Sequence, residues 1–276
     1  MTPAMRLLGV AMRRGATALA LCLAAPGALR AQDEVPFVVT PDNVTLAMLE
    51  LAQVGPRDFV LDLGSGDGRI VILAARRFGA RGLGVEIVPD LVERSRRNAL
   101  QAGVAERARF IEQDLFKTEL SVATVITMYL LQDVNLQLRP ALAALQPGTR
   151  IVSHDWDLGD WRPDRSVTVD APDKPVGKEK RSRLHLWVVP ARLAGAWCGA
   201  GAHRGARLHL AQRHQVFDAT LSVGGGAGLL AGRIDGTRLR GAGGFEAMLD
   251  GARLRITQAG DASPALLGAE FERCPA

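Results

Sequence analysis

The chain has 276 residues, of which 47% are hydrophobic and 23% are charged. This composition excludes a wholly disordered protein and leaves room for two modest domains. Four arginines in the first 31 residues, a segment without any acid, account for all but one unit of the formal net charge of +5. We therefore expect no nucleic-acid partner, since such a partner needs a basic patch on the folded part of the chain.

The first 31 residues have the pattern of a cleaved secretory signal peptide. Arg13 and Arg14 precede an apolar run over residues 16–25, Pro26 breaks that run, and the segment ends in the small residue Ala31. The run is too short to span a bilayer comfortably, and we expect cleavage after Ala31. This predicts an exported or periplasmic protein whose membrane contact is limited to the leader. An organelle-targeting segment or a membrane-associated location is the alternative.

Residues 32–190 alternate short apolar runs with amphipathic ones. Residues 33–39 are expected to be extended, and Thr40 followed by Pro41 predicts a capped helix start. The predicted helices are residues 41–53, 69–78, 89–103 and 135–145, and the predicted strands are residues 59–63, 82–87, 108–112, 123–128 and 150–153. Such alternation favours an α/β fold with a Rossmann-like, doubly wound, mostly parallel sheet. Residues 166–170 and 184–189 have no helix between them and predict a terminal antiparallel hairpin.

Residues 191–276 are rich in glycine and lack helical periodicity. Asp235-Gly236 and Asp250-Gly251 each lie between short alternating runs, which is a strong hairpin signal. We expect a small antiparallel β-meander, with a closed barrel as one form. Trp197 and Phe217 are expected in its core or at a barrel mouth. A lipocalin-like pocket, a substrate-docking module and a lid all remain open for this domain.

Two further features of the sequence have structural interpretations. The basic run over residues 174–183 is expected to be a solvated hairpin loop rather than a binding site. Cys198 and Cys274 bracket the C-terminal region, so they either form a disulfide in an oxidising compartment or remain two unrelated thiols. Their spacing predicts no metal site.

A glycine-rich turn follows the predicted strand 59–63. Three glycines within five residues let the backbone approach a ligand, and the following helix start offers free N–H groups to an anion. A dinucleotide fingerprint needs a small third residue where this chain has Arg69, and the carboxylates of Asp62 and Asp67 disfavour a pyrophosphate. S-adenosylmethionine (SAM) suits the pattern, because it carries one carboxylate and an ammonium group. A tight strand–helix turn without a ligand is the alternative.

Acidic residues also follow the next two predicted strands. In an open parallel sheet, ligands bind beyond the carboxyl ends of the strands. Glu86 is placed to hold the two hydroxyls of a ribose, and Asp114 is placed to meet an adenine amino group. Each acid alone is typical of a solvated loop, but three at successive strand ends indicate a nucleoside-containing ligand.

These motifs resemble those of class I SAM-dependent methyltransferases over about residues 36–190. More narrowly, the chain is similar to a group whose animal members are mitochondrial protein-lysine methyltransferases of the ATP synthase c subunit and the adenine nucleotide translocase. The residues that carry the resemblance are Thr40-Pro41, the run 62–71, Tyr129-Leu130-Leu131 and Ser153-His154-Asp155. Phe37 and Val39 depart from the family's more usual Tyr and Pro, so any hydroxyl contact from the first position is absent here.

The resemblance implies methyl transfer from SAM to a lysine side chain of a protein. The residues expected to bind the cofactor are Asp62, Gly64, Ser65, Gly66, Asp67, Gly68, Glu86, Ile87, Asp114 and Leu115. Direct in-line transfer requires positioning and a neutral amine.

Three residues are candidates for handling the acceptor amine. Tyr129, the only tyrosine, is expected beside the methyl group, where it would orient the amine or stabilise its cationic form; a half-buried tyrosine capping the sheet is the alternative. Asp155 and His154, ranked second and third, would bind the lysine or take up a proton, or simply hydrogen-bond the loop. An exported binding or envelope protein that keeps this fold without turnover is the rival hypothesis for the whole chain.

Overall fold

A computed structural model describes residues 38–260 and 264–275, so the predicted leader and most of the segment 33–39 lie outside the described residues. The described residues belong to one compact unit by their contacts. This unit contains a mixed sheet flanked by helices, followed by a closed β-barrel. Among the described residues, no helix is both long enough and apolar enough to cross a membrane.

The sheet has seven strands in the order β3-β2-β1-β4-β5-β7-β6. Their bounds are β1 Phe59–Leu63, β2 Arg81–Glu86, β3 Ala108–Glu112, β4 Val125–Met128, β5 Arg150–His154, β6 Arg165–Asp170 and β7 Arg181–Val188. The first five strands are parallel, whereas β7 runs antiparallel to both of its neighbours. The predicted doubly wound sheet with a terminal antiparallel hairpin is confirmed.

Four helices cover the sheet: α1 Asp42–Leu51, α2 Arg69–Phe78, α3 Pro89–Gln101 and α4 Gln132–Leu142. Val44 and Met48 of α1 pack with Val60 and Val152, while Leu138 of α4 belongs to the core on the other face. Both faces are therefore buried, which explains why the parallel strands are nearly continuous apolar runs.

Two predicted helix starts were wrong. Thr40 does not cap α1: the N-cap is Pro41, no side chain caps the helix, and the Pro41 carbonyl accepts the first helical bond from Thr45. The helix after β4 begins at Gln132 rather than at residue 135, because the carbonyl of Leu131 already accepts the Asn135 N–H. That helix includes Pro140 and ends at Leu142, three residues earlier than predicted.

The C-terminal part is an eight-stranded antiparallel barrel, which confirms the predicted β-meander and its closed form. Its strands are β8 Gly195–Gly199, β9 Arg207–Arg213, β10 Val216–Val223, β11 Gly226–Asp235, β12 Arg238–Gly241, β13 Phe245–Asp250, β14 Arg253–Ala259 and β15 Glu270–Arg273. The barrel closes because β15 pairs with β8. Both predicted hairpin turns are present, with Gly236 and Gly251 each at a left-handed φ of 56°.

Apolar side chains fill the inside of the barrel. Trp197 and Phe217 are 2% and 1% exposed and belong to one continuous core cluster, as predicted. Cys198, at the end of β8, forms a disulfide with Cys274, just beyond β15. The covalent link therefore joins the first and last strands of the barrel, and the pairing that the sequence left open is decided.

The barrel contacts the segment between β5 and β6, residues 155–164, which we call the β5–β6 segment. Arg213 lies 3.3 Å from Asp160, and Arg233 lies 2.6 Å from Asp164. The His214 ring stacks on the buried Trp161 ring, with centroids 5.6 Å apart and planes at 8°. The barrel thereby holds the chain that continues directly from the carboxyl end of β5.

Candidate active site

The glycine-rich turn lies between the carboxyl ends of β1 and β2. The N–H groups of Gly64 and Ser65 both donate to the Val85 carbonyl, which ties the turn to β2. Gly64, Gly66 and Gly68 have left-handed φ values of 73°, 54° and 83°. A Cβ at Gly68 would lie 2.7 Å from the Phe110 ring, so only glycine fits between the turn and β3.

Asp62, the last polar residue of β1, is buried and is 2% exposed. Its carboxylate accepts a 2.7 Å hydrogen bond from Thr127 on the neighbouring β4. Burial raises the pKa of Asp62 to about 7; the Thr127 hydrogen bond opposes this rise, and the negative charges of Glu86 and Asp67 add to it. A cationic ligand group would favour the ionised form of such a carboxyl.

Glu86 ends β2 and is tied to the backbone on both sides of the turn. One carboxylate oxygen accepts the Gly66 N–H at 2.9 Å, and the other accepts the N–H groups of Ile87 and Val88 at 2.8 and 3.1 Å. These bonds fix the carboxylate at the edge where Asp62 also lies. They also occupy one of the turn N–H groups that the sequence assigned to an anion.

Asp114 lies at the third strand end, as predicted. Its carboxylate accepts the Phe116 N–H at 2.9 Å and caps a short 3-10 turn, Leu115–Lys117. Lys117 lies 3.7 Å away on the surface. Asp114 is therefore held at the carboxyl edge of the sheet, while Leu115 packs partly against the core below it.

The carboxylate of Asp67 differs from the other predicted acids in its partner. Arg69 binds both of its oxygens, at 3.0 and 2.7 Å. Burial alone would raise the pKa of Asp67, but the hydrogen bonds and positive charge of Arg69 lower it below its usual value. The pair lines a groove of about 520 Å³ beside α1 and α2. In this structure the Asp67 carboxylate is therefore engaged by a neighbouring side chain.

Tyr129 and His154 form a stacked pair at the ends of β4 and β5. Their ring centroids are 3.8 Å apart and the planes meet at 27°. His154 is buried, and its Nε2 lies 2.7 Å from the Ser182 hydroxyl. Burial lowers the pKa of His154 to about 4, the charge of Lys174 lowers it further, and Asp155 opposes both. The imidazole is therefore neutral near pH 7 and supports the Tyr129 ring.

Tyr129 itself is half-buried. Burial raises its pKa to about 12, and the charge and hydrogen bonding of the Asp155 carboxylate raise it as well. The phenol is therefore protonated at neutral pH, with the Asp155 carboxylate as its nearby anion.

Asp155 has a left-handed backbone with a φ of 64°, which is strained for a residue with a side chain. Its N–H donates to the Arg183 carbonyl, and its Oδ1 accepts the Arg183 N–H at 3.0 Å. Its Oδ2 lies 2.6 Å from the ammonium nitrogen of Lys174. The Asp155 carboxylate is thus aimed between Tyr129 and a lysine that comes from the β6–β7 hairpin.

Sequence reasoning missed three residues of this region. Thr127 is the hydrogen-bond donor to Asp62, and its place two residues before Tyr129 in an apolar strand was the available signal. Asn135 is buried and donates to Ser153 and to the Trp156 carbonyl, which holds the start of the β5–β6 segment. Lys174 is only 8% exposed, whereas the basic run 174–183 to which it belongs was expected to be solvated.

Large apolar side chains are exposed at four of the five parallel strand ends. They are Ile87 after β2, Phe116 after β3, Leu131 after β4 and Trp156 after β5, exposed by 60%, 51%, 49% and 42%. Exposed apolar groups beside buried acids suit a ligand that has both an apolar ring and polar or cationic groups. The donor set therefore fits SAM: acids for its ammonium, ribose and amino groups, and apolar side chains for its purine ring.

Comparison with known proteins gives the same cofactor class. The family model described as the ANTKMT methyltransferase domain matches residues 62–165. A protein-lysine N-methyltransferase of Saccharolobus islandicus (strain REY15A) is 43% identical over 138 residues, which are 49% of this chain and 86% of that enzyme. The human lysine N-methyltransferase of the ATP synthase c subunit is 35% identical over 133 residues, or 45% of this chain and 57% of that enzyme. This chain thus spans less than two thirds of the human enzyme.

A solved structure supports the fold and the ligand. The RNA methyltransferase from Salinibacter ruber, in complex with S-adenosyl-L-homocysteine, is 50% identical with a TM-score of 0.52. The match covers 56% of this chain and 96% of that one. The Saccharolobus enzyme and the Salinibacter chain are each little longer than the part they share with this chain, so neither has room for a comparable barrel.

Proposed function

Because the chain belongs to the family of SAM-dependent protein-lysine methyltransferases, we propose that it methylates a lysine side chain of a protein. One observation carries the choice of acceptor. The Asp155 carboxylate, next to the Tyr129 phenol at the strand ends, binds the primary ammonium group of Lys174 at 2.6 Å. A carboxylate that holds a lysine ammonium from within the chain is suited to hold one from a substrate protein.

Asp62, Glu86 and Asp114 are the residues proposed to hold the cofactor. SAM supplies an electrophilic methyl group on a sulfonium, and we expect direct in-line transfer to a neutral amine. The Asp62 carboxylate would bind the cofactor's ammonium group. With a pKa of about 7 it is only partly ionised at neutral pH, and the positive charge of the ammonium would shift it to the ionised form. Glu86 would accept the ribose hydroxyls while its backbone bonds keep the carboxylate fixed.

Tyr129, Asp155 and His154 are proposed to handle the acceptor. The high pKa of Tyr129 removes it as a base at neutral pH, so its role is to orient the amine and to face the cation that forms. An incoming lysine ammonium would compete with Lys174 for the Asp155 carboxylate, and it would release one proton to solvent before the neutral amine accepts the methyl group. His154, neutral and buried beneath the phenol ring, holds Tyr129 in place.

A second candidate acceptor is RNA. The observation in its favour is the name of the Salinibacter structure, which is 50% identical to this chain over 96% of its own length. Lysine ranks first because the two named lysine methyltransferases also match and because Asp155 holds an ammonium group in this chain. The two acceptors differ in which class of molecule carries the transferred label.

Export through the N-terminal leader is a separate proposal. The Cys198–Cys274 disulfide supports it, because disulfides persist mainly in oxidising compartments. An exported binding protein without turnover is the corresponding alternative, since SAM is made in the cytosol. Fractionation of cells that express the full chain tests the location; recovery only in the cytosolic fraction would contradict export.

Two experiments test the proposed function. Calorimetry with the purified protein is expected to show binding of SAM and of its demethylated product S-adenosylhomocysteine, and Glu86→Ala is expected to weaken both. Incubation with methyl-labelled SAM and a native lysate, followed by separate protease and nuclease digestion, identifies the acceptor class. Label in RNA instead of in protein lysine would overturn the choice of acceptor.

Tyr129→Phe separates catalysis from cofactor binding. The variant keeps the ring that stacks on His154 but loses the hydroxyl beside Asp155. We expect unchanged affinity for S-adenosylhomocysteine and a turnover reduced by about tenfold, the equivalent of one hydrogen bond to a charged group. Unchanged turnover would remove Tyr129 from the mechanism.

A further inference from the structure

A groove of about 470 Å³ opens beside Asp155, between the β6–β7 hairpin loop and the end of β7. We call it the basic groove. Its charged lining residues are Asp155, Lys174, Lys178, Glu179, Arg181 and Arg183. The groove thus carries four cations and two anions at the edge of the proposed acceptor site.

Not all of these cations are available to a ligand. Lys174 is paired with Asp155 at 2.6 Å, and it also donates to the Arg181 carbonyl. Arg181 lies 3.2 Å from Asp170. Lys178 and Arg183 are exposed and form no ion pair with any residue that the structure describes. The basic groove therefore has two uncommitted positive charges.

The inner end of the basic groove is the acceptor site itself. Asp155 lines the groove, and its carboxylate also faces Tyr129. The backbone of Arg183 is held next to Asp155 by two hydrogen bonds: its carbonyl accepts the Asp155 N–H, and its own N–H donates to the Asp155 carboxylate. The point at which the Arg183 side chain leaves the strand is therefore fixed. A group bound by Lys178 or Arg183 would lie beside the amine that Asp155 attracts.

We propose that the basic groove binds acidic side chains that flank the target lysine, so that the acceptor is a lysine in an acidic segment of a protein. This inference rests on the proposed function and names its substrate class. A guanidinium binds a carboxylate through two parallel hydrogen bonds, which suits Arg183 to this role. An extended nucleic acid needs a row of phosphate contacts, whereas this groove offers two free cations beside Glu179.

A peptide library tests the proposal. Each peptide carries one fixed lysine and random residues at the flanking positions, and mass spectrometry reads the methylated members. The wild-type protein is expected to enrich Asp and Glu near the lysine by about threefold to tenfold, since two partly exposed charge pairs give roughly 1 kcal/mol together.

Charge-reversed variants distinguish an effect of the basic groove on peptide preference from an effect of the protein's net charge. In Lys178→Glu and Arg183→Glu the preference is expected to shift toward Lys and Arg, with unchanged affinity for S-adenosylhomocysteine. Arg109→Glu is the matched control, because Arg109 is exposed on β3 at the opposite edge of the sheet and the net charge changes equally. The control is expected to keep the wild-type preference.

Each contrary outcome has a distinct meaning. Methylated peptides without a charge preference, or variants that keep the wild-type preference, would overturn the acidic-segment proposal and leave the lysine acceptor standing. Methylation of RNA with no methylated peptide would overturn both. If the wild-type protein does not bind S-adenosylhomocysteine, the proposed function is contradicted at cofactor binding, before any acceptor is considered.

Discussion

The buried carboxyl of Asp62 predicts how cofactor binding depends on pH. Burial raises its pKa to about 7, against the hydrogen bond from Thr127 and with the help of nearby Glu86 and Asp67. An ammonium group binds the ionised carboxylate, so binding below pH 7 has to release a proton. The affinity for S-adenosylhomocysteine is therefore expected to rise about tenfold from pH 5 to 6 and about fivefold from pH 6 to 7.

Calorimetry at pH 5, 6 and 7 measures this dependence. Measurements in two buffers with different ionisation enthalpies give the number of protons released, which is expected to be close to one at pH 5 and about one half at pH 7. The range ends at pH 7 because the amino group of the ligand begins to lose its own proton near pH 8.

Two variants identify the titrating group. Asp62→Asn is expected to bind more weakly at pH 7 and to lose the pH dependence, because its amide does not titrate. Thr127→Val removes the hydrogen bond that lowers the Asp62 pKa, so the rise in affinity is expected to move to higher pH. An affinity that is flat between pH 5 and 7, or a dependence that survives in Asp62→Asn, would refute the reasoning.

Three further predictions concern stability. The pKa of His154 is about 4 in the folded protein against an ordinary 6.5, so the stabilisation from its neutral imidazole is complete above pH 6.5 and falls by about 3 kcal/mol toward pH 4. In His154→Gln, the free energy of unfolding measured in urea should therefore fall much less between pH 7.5 and pH 4.5. A fall as large as in the wild-type protein would contradict the prediction. Lys174→Met leaves the Asp155 carboxylate without its ion partner and should lower the free energy of unfolding by about 2 kcal/mol. An unchanged melting temperature would show that the ion pair does not stabilise the fold. Cys198→Ser removes the disulfide to Cys274, which is 76 residues away in the sequence, and should lower the free energy of unfolding by about 4 kcal/mol as measured by calorimetry. Reduction of the wild-type protein should have the same effect.

Local sequence signals predicted most of the fold. Strands β1 and β3 and helix α2 have the predicted bounds, because Gly68 and Gly79 delimit α2 with left-handed backbones that favour glycine. The two Asp-Gly turns of the barrel were predictable for the same reason. Acids at strand ends were also readable, since parallel strands bring their carboxyl ends to one edge.

Contacts between distant parts of the chain were not readable. Lys174 meets Asp155 only because the β6–β7 hairpin folds back along β5, and no periodicity encodes that register. One local contact was missed as well: Asp67 pairs with Arg69, only two residues further along, although the sequence pattern had assigned Asp67 to the ligand. The start of α4 was missed because polar Gln132 and Asp133 occupy its first turn.

The position of β15 has a consequence for the order of folding during synthesis. All seven strands of the sheet are complete once Val188 has been made, whereas the barrel cannot close until Glu270–Arg273 is available to pair with β8. Domains generally fold as units from the N-terminus while the chain is synthesised, and long-range strand pairing is slow. The sheet would therefore form first, and Trp161 would stay uncovered until His214 packs on it. The barrel's contacts with the β5–β6 segment, and with it the acceptor side of the site, are therefore complete only after β15 has paired with β8.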